Sequence, residues 1–358
     1  MSSRRRRSLA LAAVVVFAAA VAGAAQSREN ANAYAVHPLV SDSSATPAPG
    51  TDATLVNGWG LSAGPTTPWW ASDNGTNSTT LYSGSGAKVA LTVSVAGGPT
   101  GTVFNGSSSD FMISQSGKSG AARFLFATEA GTILGWAPTV NASAAIPGAD
   151  RSSAGAVYKG LATANDRLYA TDFHNGRVDV FDASFNPIAA TAGAFTDTKV
   201  AKGFAPFGIQ ALGGNIFVTF AQQDAAKHDD VPVPGKAYVD EFTPDGQLVG
   251  RVINSGKKNA PLNAPWGLAL APAGFGSFGG DLLAGNFGNG RISAYAQRGN
   301  DWVYKGQLRA GDGKLIAIDG LWAIAFGNGA AAGPTDTLYF LAGPSGEQHG
   351  LYGSITSG

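Results

Sequence analysis

The 358-residue chain contains no cysteine. Disulfide staples, thiolate nucleophiles and cysteine-ligated zinc or iron–sulfur centres are thereby excluded, and stability must come from packing and strand pairing. Charge is also scarce, since only 13% of residues are Asp, Glu, Lys or Arg, and 24 basic residues balance 24 acidic ones. A formal charge of zero creates no broad field, so no nucleic-acid partner is expected. Beyond the first 24 residues no apolar run reaches the roughly 20 residues that a helix needs to cross a bilayer, so no transmembrane segment is expected in the mature chain. What is abundant is glycine, with 50 residues beside 18 prolines. Such a composition suits turns and short strands better than long helices.

The N-terminus has the three parts of an export signal. Arg4 to Arg7 form a basic region, Leu9 to Ala22 an apolar one, and Ala22-Gly23-Ala24 a small-residue cleavage site. Residues 1–25 are therefore expected to be a signal peptide and residues 26–358 a single exported domain, periplasmic or secreted. The pair Arg6-Arg7 ahead of Ser8-Leu9 is also compatible with twin-arginine export.

A short unit recurs six times along the chain: one residue, then a small one, then an alternating apolar strand. The copies begin at Trp59-Gly60-Leu61, Thr100-Gly101-Thr102, Lys159-Gly160-Leu161, Phe207-Gly208-Ile209, Trp266-Gly267-Leu268 and Trp322-Ala323-Ile324. Their mean spacing of about 53 residues falls near that of propeller blades. A second β-rich run follows each copy, as in Trp69 to Asp73, Phe124 to Glu129, Leu168 to Asp172 and Leu282 to Asn286, and a glycine turn then leads to a third strand. Gln247 to Ile253 and Val303 to Leu308 supply fourth strands. The expected fold is all-β, a six-bladed β-propeller in which Tyr34 to Val40 lends the last blade its missing outer strand. Two β-sandwiches would need a central linker and would leave six similar units unexplained.

The units resemble NHL-type propeller repeats. The stretches Ser72-Asp73-Asn74-Gly75-Thr76, Phe173-His174-Asn175-Gly176, Lys227-His228-Asp229-Asp230, Pro265 to Pro272 and Gly327-Asn328-Gly329 are in addition similar to an uncharacterised family of exported bacterial propeller proteins. That resemblance runs from about Pro38 to Ile355. It implies the architecture and carries no activity or catalytic residues with it.

In a propeller, the start of each first strand and the end of each second strand lie at the same end of the ring. Trp59, Lys159, Phe207, Trp266 and Trp322, with Asp319, are therefore expected to surround the channel mouth as ligand-binding residues. Asp73, Glu129, Asp172 and Asn286 end second strands beside them and offer the oxygen donors that Ca2+ or another divalent cation takes. Asp and Asn at strand ends also seed turns by bonding their own backbone, and both readings stand. His174 and His228 are candidate general bases, or ordinary hydrogen-bonded loop residues. The same turns carry His349, Asp224, Asp229, Asp230 and Glu347, and the charged segment Gln222 to Gly235 is long where other units turn tightly. The tryptophans can form an aromatic platform or fill the channel. A buried Lys159 requires a carboxylate partner, with Glu129 or Asp172 in reach. Gly274 to Gly279 spells a dinucleotide fingerprint but has no helix behind it, and no Gly-x-Ser-x-Gly elbow occurs.

Two principal functions follow. One is a binding propeller for a small molecule, glycan or extracytoplasmic protein. The other is a divalent-metal-dependent hydrolase or lyase resembling lactonase-type propellers. A structural surface or biofilm component is a third, suggested by neutral charge and many Ser, Thr and Gly positions.

Overall fold

A computed structural model describes residues 32–253, 261–299 and 301–358. The expected signal peptide, residues 1–25, lies outside the described residues. The described chain is nearly all β, and its sheets are six blades around one axis. The innermost strands are Gly58–Ser62, Pro99–Phe104, Tyr158–Ala164, Phe204–Leu212, Pro265–Leu270 and Leu321–Phe326, and they define blades 1 to 6 in chain order. Each begins at one of the six sequence units, so the six-bladed expectation matches the observed architecture.

The small residue of each unit has a steric cause. A Cβ on Gly60 would overlap the Thr100 carbonyl, and one on Gly208 the Trp266 carbonyl. Neighbouring inner strands thus meet backbone to backbone around the axis, which only glycine, or alanine at Ala323, permits. The axial space left between them is about 30 Å³, enough for little more than a water. The channel is therefore shut below its mouth.

Between blades lie apolar layers. Tyr158, Leu161 and Leu168 of blade 3 meet Leu125 and Ile133 of blade 2, and Phe217 and Val239 of blade 4 meet Leu268 and Leu282 of blade 5. Alternation along each strand supplies both faces, so every blade buries side chains against two neighbours.

Closure of the ring falls to the N-terminal strand. Tyr34–Ser41 pairs antiparallel with Leu351–Ser357, from Tyr34 opposite Ser357 to Pro38 opposite Gly353 and, after a one-residue register shift, from Val40 opposite Tyr352 to Ser41 opposite Leu351. Blade 6 thereby joins the two ends of the chain and gains a cover for the outer edge of Leu351–Ser357. Blade 2 carries an inserted hairpin, Met112–Gln115 with Lys118–Ala121. Among the described residues no helix is long and apolar enough to cross a membrane.

Candidate functional site at the channel mouth

An aromatic plug floors the mouth. Trp322 is sandwiched between Trp59 and Phe287, with ring centroids 3.9 Å away on each side, and Phe207 and Trp266 pack around it at 5.8 and 6.0 Å. Trp59, Phe207 and Trp322 are at most 2% exposed. They fill the channel, and no flat ligand can stack on them; the platform expectation gives way because inner strands so close together leave no open space between the rings.

Lys159 stands on this floor. Its side chain is 1% exposed, its Nζ lies 5.0 Å from the centre of the Trp59 ring, and it donates to Glu129 Oε1 and, at 3.0 Å, to Asp229 Oδ1. Burial opposes the ammonium, but the two carboxylates outweigh it and hold its pKa above the ordinary lysine value. Asp229 is correspondingly held low: burial raises it, and the lysine charge more than compensates.

Two further acids complete the group. Asp230 is pushed up to about 7, by burial first and then by the charge of Glu347, against the pull of Lys159. Its Oδ2 has no hydrogen-bond partner. Glu347 is raised by burial and accepts from Asn57 Nδ2 at 2.7 Å. Asn57 also donates to Asn74 Oδ1 at 3.2 Å and accepts from Trp322 Nε1 at 3.0 Å, and Asn74 donates to Glu129 Oε2 at 2.9 Å. An amide chain thus runs from the plug to the acids.

The segment Gln222 to Gly235 folds back on its own blade, where Gln223 pairs with Asp230 and Gln222 with Val231. Asp224 closes the turn by accepting from His228 N at 2.8 Å. His228, Asp229 and Asp230 are thereby delivered together, with His228 Nδ1 2.9 Å from Asp229 Oδ1. Glu129, His228 and Asp229 each offer one ligand atom within 4.8 Å of the others, a grouping able to hold a metal ion. Glu347 arrives from the turn after blade 6's second strand, where Ser345, Gly346 and Glu347 have φ of 58°, 65° and 68°. Left-handed backbone at two non-glycine residues is strained. Asp319 supports that turn by accepting from Ser345 N at 2.8 Å.

Other expected ligands do not join them. Asp73 accepts from Ser78 and Thr80 of its own blade, Asp172 from Asn175 and Val157 N, and Asn286 bonds Asn263 N and the Arg291 carbonyl. All three are fully buried and fasten turns, so the four-residue oxygen cage is not formed. The reason is register. Asp73, Asp172 and Asn286 are the last residues of their strands, whereas Glu129 stands one beyond Phe124–Thr128. A one-residue step reverses the side chain's face. The true counterparts of Glu129 are Asn74, Phe173 and Phe287: each donates its backbone N–H to the residue just before its blade's first strand, to Asn57, Val157 and Ala264 as Glu129 does to Gly98. Counting from that bond, rather than from the acidic letter, would have found Asn74. His174 also stays outside the metal-holding group; its carbonyl accepts from Gln223. His349 is engaged by Asp42 at 2.8 Å.

No family model matches the chain. It is 31% identical over 317 residues to the uncharacterized protein L690 of Acanthamoeba polyphaga mimivirus, covering 85% of this chain and 81% of that one. The mimivirus uncharacterized protein R648 is 29% identical over 322 residues, covering 85% and 76%. A third, R640, is 31% identical over 229 residues, and there the match spans only 42% of the relative's length. Among solved structures, a protein of unknown function from Bacteroides thetaiotaomicron superposes with a TM-score of 0.55 at 11% identity, over 92% of this chain and 74% of the other. A catalytically inactive virginiamycin B lyase from Staphylococcus aureus, with quinupristin, gives 0.50 at 11% identity, over 90% and 98%. These likenesses show the propeller fold.

Proposed function

This chain belongs to one family with the mimivirus protein L690, and from the charge gathered at its channel mouth we propose that it is a binding propeller for a small cationic ligand or metal ion. One observation carries the reading: four carboxylates, Glu129, Asp229, Asp230 and Glu347, surround a single ammonium, that of Lys159. Burial and mutual repulsion push Asp230 up to about 7 and raise Glu347, and an entering cation would relieve that crowding. Export by residues 1–25 to an extracytoplasmic location belongs to the same proposal, because weak oxygen-ligated calcium sites operate there.

The test is a thermal melt of the purified protein in Ca2+, Mg2+, Mn2+, a linear diamine and chelator. The cation that fits raises the melting temperature through its binding to the folded state alone. Equal melts in every additive would rule the reading out.

A second reading is favoured by the grouping of Glu129, His228 and Asp229, which suits a divalent-metal-dependent hydrolase or lyase. There the ion, held by these three residues, would polarise a carbonyl or activate water. Turnover of lactones that stops in chelator and returns with the ion separates this from binding alone.

A further inference from the structure

We propose that Lys159 is a tethered counter-ion occupying the place of a hard divalent cation, and that such a cation binds between Glu129, His228 and Asp229 by displacing its ammonium. The inference rests on the cation-taking mouth described above and adds what gates it.

The same oxygens are claimed twice. Lys159 Nζ bonds Glu129 Oε1 and Asp229 Oδ1, and that Asp229 oxygen is also the contact of His228 Nδ1 at 2.9 Å. An ion within reach of all three residues would lie a few ångströms from that ammonium, so the two charges compete for the same carboxylates. They also approach from opposite sides. The lysine reaches the carboxylates from the buried side, at 1% exposure, whereas the side chains of Asp229 and His228 are 65% and 45% exposed. An incoming ion meets the acids from solvent, and the released lysine can swing outward past them on its flexible four-carbon stem.

Two unpartnered groups at the site indicate that the lysine does not satisfy it. Asp230 Oδ2, beside Asp229, lacks a donor. Trp59, 2% exposed and lying under the ammonium, is the one tryptophan among the described residues whose buried indole N–H has no acceptor. The indoles of Trp69, Trp136, Trp266, Trp302 and Trp322 all have one. The second charge of a divalent cation answers the carboxylates that one ammonium leaves uncompensated.

The experiment is calorimetric titration of Ca2+, Mg2+ and Mn2+ into the wild type and Lys159→Met, with reductive methylation of the wild type read by mass spectrometry. Removal of a competing charge a few ångströms away should tighten ion binding about tenfold or more. In the wild type, Lys159 should be protected from methylation in chelator and become labelled at saturating ion, a readout that survives if the variant does not fold. Equal affinities in the two proteins, or a Lys159 still protected at saturation, would overturn the gate while leaving the cation reading intact. Absence of binding in both would remove the gate and that reading together.

Discussion

At the scale of single residues, burial raises a carboxyl in the body of blade 4 as it does at the mouth. Asp240, fully buried on the third strand of blade 4, has no partner on either oxygen and is pushed up to about 8 by burial and then by the neighbouring Asp197. Asp197 is itself held low, since the guanidinium of Arg251, which clasps it, outweighs the burial that raises it. A protonated Asp240 can donate to Asp197 and leave the Arg251 pair intact. Because the folded-state pKa lies above the unfolded carboxyl's value of about 3.9, the folded protein holds this proton more tightly. The stability it contributes is complete below that value and is lost as pH rises through about 8. Asp240→Asn, which keeps a donor without the charge, should therefore flatten the decline and make the protein more stable than wild type at pH 8, by an amount on the order of a few kcal/mol. Urea melts at pH 5, 7 and 8 check this; an unchanged slope would show that Asp240 does not titrate in the folded state.

At the scale of elements, what distinguishes blade 4 is the insertion after its second strand. The backbone pairs Gln223–Asp230 and Gln222–Val231, together with the Asp224 cap on His228, make it an ordered extension of the sheet, so His228, Asp229 and Asp230 arrive as one unit. Length and charge mark this segment in the sequence, yet they do not distinguish a free loop from a paired hairpin; the pairing with Gln222 and Gln223 does. Its residues pack little into the apolar layers, which places its contribution in the site rather than in stability. Replacement of residues 224–230 by a short glycine turn should abolish ion binding while lowering the melting temperature by only a few degrees. A large fall in melting would instead make the segment part of the fold's support.

At the scale of the whole molecule, the site exists because the ring closes. Its groups come from blade 1 (Asn57, Asn74), blade 2 (Glu129), blade 3 (Lys159), blade 4 (His228 to Asp230) and blade 6 (Glu347). Tyr34–Ser41 is the strand that joins the ends, and Tyr34 also packs on Phe275 and Phe278 of blade 5 with centroids 4.9 and 5.9 Å away. Removal of residues up to Ser41 should expose Leu351–Ser357 as an unpaired edge, lower stability by several kcal/mol and promote association through that edge. Light scattering and urea melts of the truncated chain measure both effects, and a monomer as stable as the intact protein would show that the strand does not lock the ring.

The amino-acid sequence by itself determined the blade count, the strand order and the closing strand, because glycine-led inner strands and period-two alternation are local patterns with one steric solution. It also identified Lys159 as a buried charge needing a carboxylate, Glu129 or Asp172, and the structure pairs it with Glu129. Only the tertiary structure decided which acids meet. Asp73, Asp172 and Asn286 carry the expected chemistry but sit one pleat away from Glu129's position and bond inward, while Asp229, Asp230 and Glu347 reach the mouth from turns far apart in the chain. Side-chain direction at a strand end depends on a single-residue step, and meeting across blades depends on ring geometry; neither is written in local spacing.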